Sequence, residues 1–174
     1  GIPVRLQAEV QNSVENFDPY YYNVVGEIPG TDLADEIVMV GGHYDSWHGG
    51  TGAVDNASGS AVALESLRIL KAIGVQPRRT IRVGFWTYEE GGLNGSREYV
   101  TANFGNPEVG KKPAYDKFSG YFNMDNGTGQ FRGVNLQGNM LVAPIFEAWM
   151  KPLNDLGVAT LAPRNTGGTD HLSF

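Results

Sequence analysis

The stretch "EIVMVGGHYD", residues 36–45, decides how the rest of the chain is read. Its apolar residues follow one another without polar alternation, the pattern of a strand covered on both faces, and a strand of that kind needs helices packed on either side. Immediately downstream, Val62, Leu64, Leu67, Ile69, Leu70 and Ile73 recur at helical spacings, which predicts a helix over residues 57–73 with Gly74 as its stop. "TIRVGFWTY" from Thr80 predicts a second buried strand, residues 95–104 a short helix, and "FSGYFNMDN", residues 118–126, a third strand ending in an acid. Later come a strand over 133–138, a helix over 143–157 and a strand over 158–162. Upstream, "PVRLQAEV" (3–10) and "YYYNVVGEIPG" (20–30) read as an antiparallel start, with a turn at Pro29-Gly30. Strands alternating with helices predict an α/β fold, three layers α/β/α around a mixed, mainly parallel central sheet.

Composition narrows the function. With 174 residues, 41% of them hydrophobic, residues 1–174 read as one domain able to bury a core. The net charge is -6 and the 13 Lys and Arg are scattered, so no nucleic-acid partner is expected. Cysteine is absent, which removes disulfides and thiolate metal sites and leaves nitrogen and oxygen ligands. No apolar run approaches the roughly 18 residues of a membrane span. The start lacks the charged and apolar regions of a signal peptide, and both ends are abrupt, so the sequence reads as a piece of a longer protein.

The ionisable residues cluster by position. His43 with Asp45, Glu89 with Glu90, and Asp125 all fall at the carboxyl ends of predicted strands, where open α/β sheets bind ligands. Gly91 and Gly92 permit the turn that both glutamates need to face one cleft. Asp55 precedes a predicted helix, where capping and ligation explain a carboxylate equally well. Three acids and a histidine would repel and shift upward in pKa without a cation, whereas a divalent ion neutralises them. Imidazole with carboxylate suits zinc, manganese or cobalt, zinc being the commonest hydrolytic choice. A further glutamate, free of metal, could take a proton from water.

Other residues have plainer readings. Trp47 and Trp86 are assigned to packing, Tyr20 to Tyr22 to strand propensity, and His48 to a solvated loop. Ser58 and Ser60 lack the Gly-x-Ser-x-Gly elbow of a serine hydrolase.

The blocks "GGHYDS", "GAVDNASG", "YEEGG" and "FNMDN" resemble, in order and spacing, the four metal-site blocks of the M28 zinc peptidases. Within that family the chain is most similar to the plasma glutamate carboxypeptidase-like group, through "GGHYDSW", the spacing from His43 to Asp55, and "GGTDHLSF". The resemblance runs from about Tyr20 to the end. It implies that His43 and Asp125 ligate one zinc, Glu90 a second, and Asp55 bridges the two Zn2+ ions, with Glu89 as general base and Asp45 orienting the histidine. The implied activity is exopeptidase hydrolysis of dipeptides or small peptides by a zinc-bridging water. It also implies an exported protein, secreted or periplasmic. The family's fifth ligand, a histidine beyond "GGTDHLSF", is not reached, so the domain is expected to stop before the last metal ligand; His171 and His48 are the possible substitutes. A single-zinc glutaminyl cyclase-like enzyme and a non-catalytic binding relative of the same fold are the alternatives.

Overall fold

A computed structural model describes residues 1–11, 13, 20–125, 127 and 129–174. Strand β1 (Val24–Ile28) leads through Pro29-Gly30 into β2 (Leu33–His43), and α1 (Ala57–Ala72) carries the chain back to β3 (Arg79–Trp86). Helix α2 (Asn94–Asn103) follows, then the short hairpin of β4 (Gly105–Asn106) and β5 (Gly110–Lys111), and β6 (Phe118–Asn123). The remainder comprises β7 (Gly133–Asn135), α3 (Ala143–Met150) and β8 (Thr160–Ala162). The sheet runs β1-β3-β2-β6, with β3, β2 and β6 parallel and β1 antiparallel to β3. It is therefore mixed and mainly parallel, as the pattern of the sequence requires.

The two faces of β2 and β3 bury different partners, which accounts for their uninterrupted apolar runs. On one face Ala63 and Leu67 of α1 pack with Val83, and Ile28, Val40, Ile81 and Phe85 close around them. On the other, Met39, Trp86 and Phe104 form the centre, covered by Tyr99 and Val100 of α2 and by Phe118, Tyr121 and Phe174. Trp86 is fully buried and its indole N–H donates to the Tyr121 hydroxyl at 2.8 Å, so its assignment to packing holds. Helix, sheet and helix thus make three layers.

Several expectations differ from the structure. Residues 3–10 form no strand: residues 1–11 are exposed, and among the described residues no strand pairs with them to take up their backbone hydrogen bonds. Tyr20 to Tyr22 precede β1 instead of belonging to it, and Tyr21 stacks on Tyr88 with ring centroids 4.9 Å apart. β7 and β8 pair with each other in a separate parallel ribbon. The helix expected over 143–157 is α-helical only to Met150 and continues as a 3-10 helix (Lys151–Leu156), because Pro152 supplies no N–H for the next α-type bond. Asn126, at the end of the predicted strand 118–126, lies outside the described residues. Among the described residues no helix is long and apolar enough to cross a membrane.

One close approach positions everything that follows. The first turn of α1 and the end of β2 both lie against the chain leaving β6, with a glycine at each contact: a methyl group at Gly59 would sit 2.2 Å from the Met124 carbonyl oxygen, and one at Gly42 2.9 Å from it. Gly59→Ala is therefore expected to cost about 1–3 kcal/mol by overpacking, read as a lower Tm in thermal unfolding; an unchanged Tm would mean that the helix can move away freely.

Candidate active site

β2 ends at His43, whose ring is only 1% exposed. Its Nε2 lies 3.0 Å from Asp125 Oδ1, 3.1 Å from Asp55 Oδ1 and 3.8 Å from Glu89 Oε2. Its Nδ1 faces the backbone carbonyl of Asp45 at 3.1 Å. A histidine that gives its Nδ1 proton to a carbonyl presents Nε2 to whatever sits among the acids. Ligand atoms of His43, Asp55 and Asp125 all lie within 4.8 Å of one another, so three of the four expected metal residues converge. Glu90 stands apart from this trio, near enough to Asp55 for their charges to interact, and its Oε1 is buried without a hydrogen-bond partner. A buried, unsatisfied carboxylate oxygen beside a cluster of nitrogen and oxygen donors fits a divalent cation well.

Asp45 works differently from a simple partner of the imidazole. Its carboxylate is 3.4 Å from His43 Nδ1, while Oδ1 accepts the Glu89 N–H at 3.1 Å and Oδ2 the Glu90 N–H at 3.2 Å. One carboxylate thus clamps the turn that follows β3. The turn is sharp: Tyr88 takes φ 53 and Gly92 φ 117, the latter a value that glycine adopts without strain. Asp55 is released from capping because Asn56 performs it, Oδ1 accepting the Gly59 N–H at 3.1 Å. The other end of the same amide donates to the Met124 carbonyl at 2.9 Å.

Burial opposes a charge on His43, but the Asp125 hydrogen bond and the charges of Asp125, Glu89 and Asp45 outweigh it and push the imidazole up to about 9. Burial raises Glu89 to about 7, the His43 charge opposing and those of Asp125, Asp170 and Glu90 assisting. Glu90 is also raised, by burial and then by Asp55.

Two contributors were not legible beforehand. Asn56 hides inside "DNASG", where its neighbour Asp55 attracts the eye. Asp170, in "GGTDHLSF", is fully buried, and burial pushes its carboxyl up to about 6, with Ser96 and His43 opposing and Asp125 and Asp45 assisting. A lone acid inside a Gly-rich segment carries no periodic signal. His171 is outside the cluster, its Nε2 2.8 Å from the Thr166 carbonyl, and it helps to line a cavity next to Asp125. His48 is exposed on the glycine loop. Trp47 is 63% exposed there, so its assignment to packing is corrected: it stands on a loop whose neighbouring residues 48–51 are exposed as well.

A buried histidine at the end of β2 is thus ringed by acids from the turns that follow the strands of a mainly parallel sheet. The chain belongs to peptidase family M28, whose profile matches residues 23–174. It is 34% identical over 149 residues to carboxypeptidase Q of Mus musculus, covering 86% of this chain and 30% of that protein. Among solved structures, the peptidase M28 precursor of Shewanella amazonensis superposes with a TM-score of 0.73 at 31% identity, over 85% of this chain and 32% of that one. A zinc aminopeptidase of Bacillus subtilis gives 0.69 at 29% identity, over 87% and 36%. The chain therefore spans about a third of the length of these relatives.

Three pKa shifts share one sign. His43 is raised from 6.5 to about 9, so its contribution is full below 6.5 and lost as pH rises through 9. Glu89, raised from 4.5 to about 7, and Asp170, raised from 3.8 to about 6, likewise favour the folded state when protonated and lose that contribution as pH rises through those values. In a chelator, the Tm is expected to fall from pH 5 to pH 9, and Asp170→Asn to flatten the lower part of that decline; a Tm that rises across the interval would contradict this account.

Proposed function

We propose that this protein is a zinc-dependent exopeptidase that hydrolyses dipeptides or small peptides next to a free terminus. The observation that carries the reading is the convergence of His43, Asp55 and Asp125 within 4.8 Å. Membership of family M28 and the likeness to a zinc aminopeptidase support zinc as the ion. His43 and Asp125 would hold one ion, Glu90 would serve a second, and Asp55 would be shared between them. Zinc, when bound, polarises a carbonyl and lowers the pKa of water.

The residues of the chain supply the rest. Glu89, its Oε2 3.8 Å from His43 Nε2, takes a proton from the attacking water and returns it to the leaving nitrogen. A carboxyl that burial holds above its ordinary range exchanges protons nearer neutral pH than an exposed glutamate does. Asp45 keeps Glu89 and Glu90 in register by holding both of their N–H groups, and its backbone carbonyl fixes the His43 ring. The buried Asp170 adds negative potential behind the site, which favours a cation in front of it.

The test combines zinc content with hydrolysis of unblocked dipeptides by the purified protein. Zinc should be retained in Glu89→Gln while kcat falls by about 10²–10⁴, and Asp55→Ala should lose both zinc and turnover. Retained activity in Glu89→Gln would remove it as the base, and a protein that binds no zinc would overturn the reading. A separate expectation concerns Asp45→Asn, which keeps an acceptor for only one of the two N–H groups: KM should change little and kcat should fall, measured on the same dipeptides.

A further inference from the structure

Glu89 and Glu90 lie within the loop of residues 87–93 that joins β3 to α2, and the residues just before β1 close the neck of that loop. β1 runs antiparallel to β3 with Val24 opposite Phe85, so Asn23 arrives where β3 ends. Its Oδ1 accepts the Thr87 N–H at 3.1 Å and its Nδ2 donates to the Gly95 carbonyl at 2.9 Å. Thr87 and Gly95 are also joined directly, the Gly95 N–H donating to the Thr87 carbonyl at 3.0 Å. One side-chain amide thus spans both ends of the loop. It fits because residue 95 is a glycine: a methyl group there would strike Asn23 Oδ1.

The two preceding residues hold the same region. Tyr21 stacks on Tyr88, the residue before Glu89, with the rings 5° from parallel. The Tyr88 ring in turn lies against Gly91, where a methyl group would strike it. The Tyr22 carbonyl accepts the hydroxyl of Tyr44, the residue after His43. Residues 21–23 therefore tie the glutamate loop at its neck and at Tyr88, and tie it to the end of β2. A loop that carries a reacting carboxylate gains from being held at several points, because a displacement of about 1 Å can cost roughly 10²-fold in rate.

We infer that Asn23 is a positioning residue for Glu89: by closing the neck of the loop it fixes the glutamate whose backbone N–H the Asp45 carboxylate accepts, and Tyr21 and Tyr22 reinforce that hold. This rests on the peptidase reading above, in which Glu89 is the base, and adds to it a residue that touches no reacting atom. Two separated bridges, Asn23 at the neck and Asp45 at the glutamates, then act on one loop.

The experiment compares amide hydrogen exchange in the zinc-supplied wild type and Asn23→Ala, with dipeptide kinetics on both at saturating zinc. The N–H groups of Glu89 and Glu90 bond to Asp45 and not to Asn23, so a change there reports the loop itself. Their exchange should quicken about tenfold or more, while amides at the centre of β2 and of α1 keep their rates. The kcat should fall about tenfold or more with KM changed less than about twofold. Tyr44→Phe, which removes only an exposed hydroxyl contact, should move both readings the same way and less. Should Asn23→Ala fail to fold, Asn23→Asp keeps the acceptor for Thr87, loses the donor to Gly95, and carries the same test. Unchanged exchange at Glu89 and Glu90, an equal rise at the centre of β2 and α1, or a loss confined to KM would overturn the inference. A wild type that hydrolyses no dipeptide would fault the peptidase reading instead, and the exchange comparison would still decide whether Asn23 holds the two acids.

Discussion

The side-chain amide of Asn56 is the contact on which the site depends. It is buried, caps α1 through Gly59 and reaches across to the carbonyl of Met124, so it ties the start of a helix to the chain leaving β6. Asp55 is the residue before one end of this bridge and Asp125 the residue after the other. Two carboxylates that repel each other are held together because the neutral groups beside them are bonded and because Gly42 and Gly59 leave no side chains in the gap. The negative charge collected there is a cost to the fold in the absence of a cation, and the raised pKa of His43 records it, whereas Glu89 and Asp170 are raised chiefly by their burial.

The second constraint is the Asp45 clamp. Since both of its oxygens accept backbone N–H groups from the Glu89-Glu90 turn, this turn and the end of β2 move as one piece, and His43 is locked to the same segment through the Asp45 carbonyl. The site is thus built from three strand ends joined by two short polar bridges, with the apolar layers on either side of the sheet supplying rigidity.

What could be read in the sequence was whatever burial writes as a period. The unbroken runs of β2 and β3, the helical spacing of α1 and its stop at Gly74 follow from local geometry, and the acids were legible because they stand where those runs end. Residues 3–10 show the limit: a strand-like alternation that finds no partner strand among the described residues leaves its apolar residues exposed. Pro152 was a visible break, yet the apolar pattern around it concealed its effect on the end of α3.

By itself, then, the sequence determined the layered α/β architecture and the edge of the sheet at which chemistry collects, because side-chain period and strand ends are properties of neighbouring residues. Tertiary structure alone decided that Asn56 and not Asp55 caps the helix, that the Asp45 carboxylate grips backbone, that Asp170 is buried behind the site, and that β7 and β8 pair away from the central sheet. The cap itself spans only three residues, but Asn56 also reaches 68 residues to Met124 and Asp45 reaches 44 to Glu89, and a hydrogen bond across such a separation leaves no trace in the order of residues on either side.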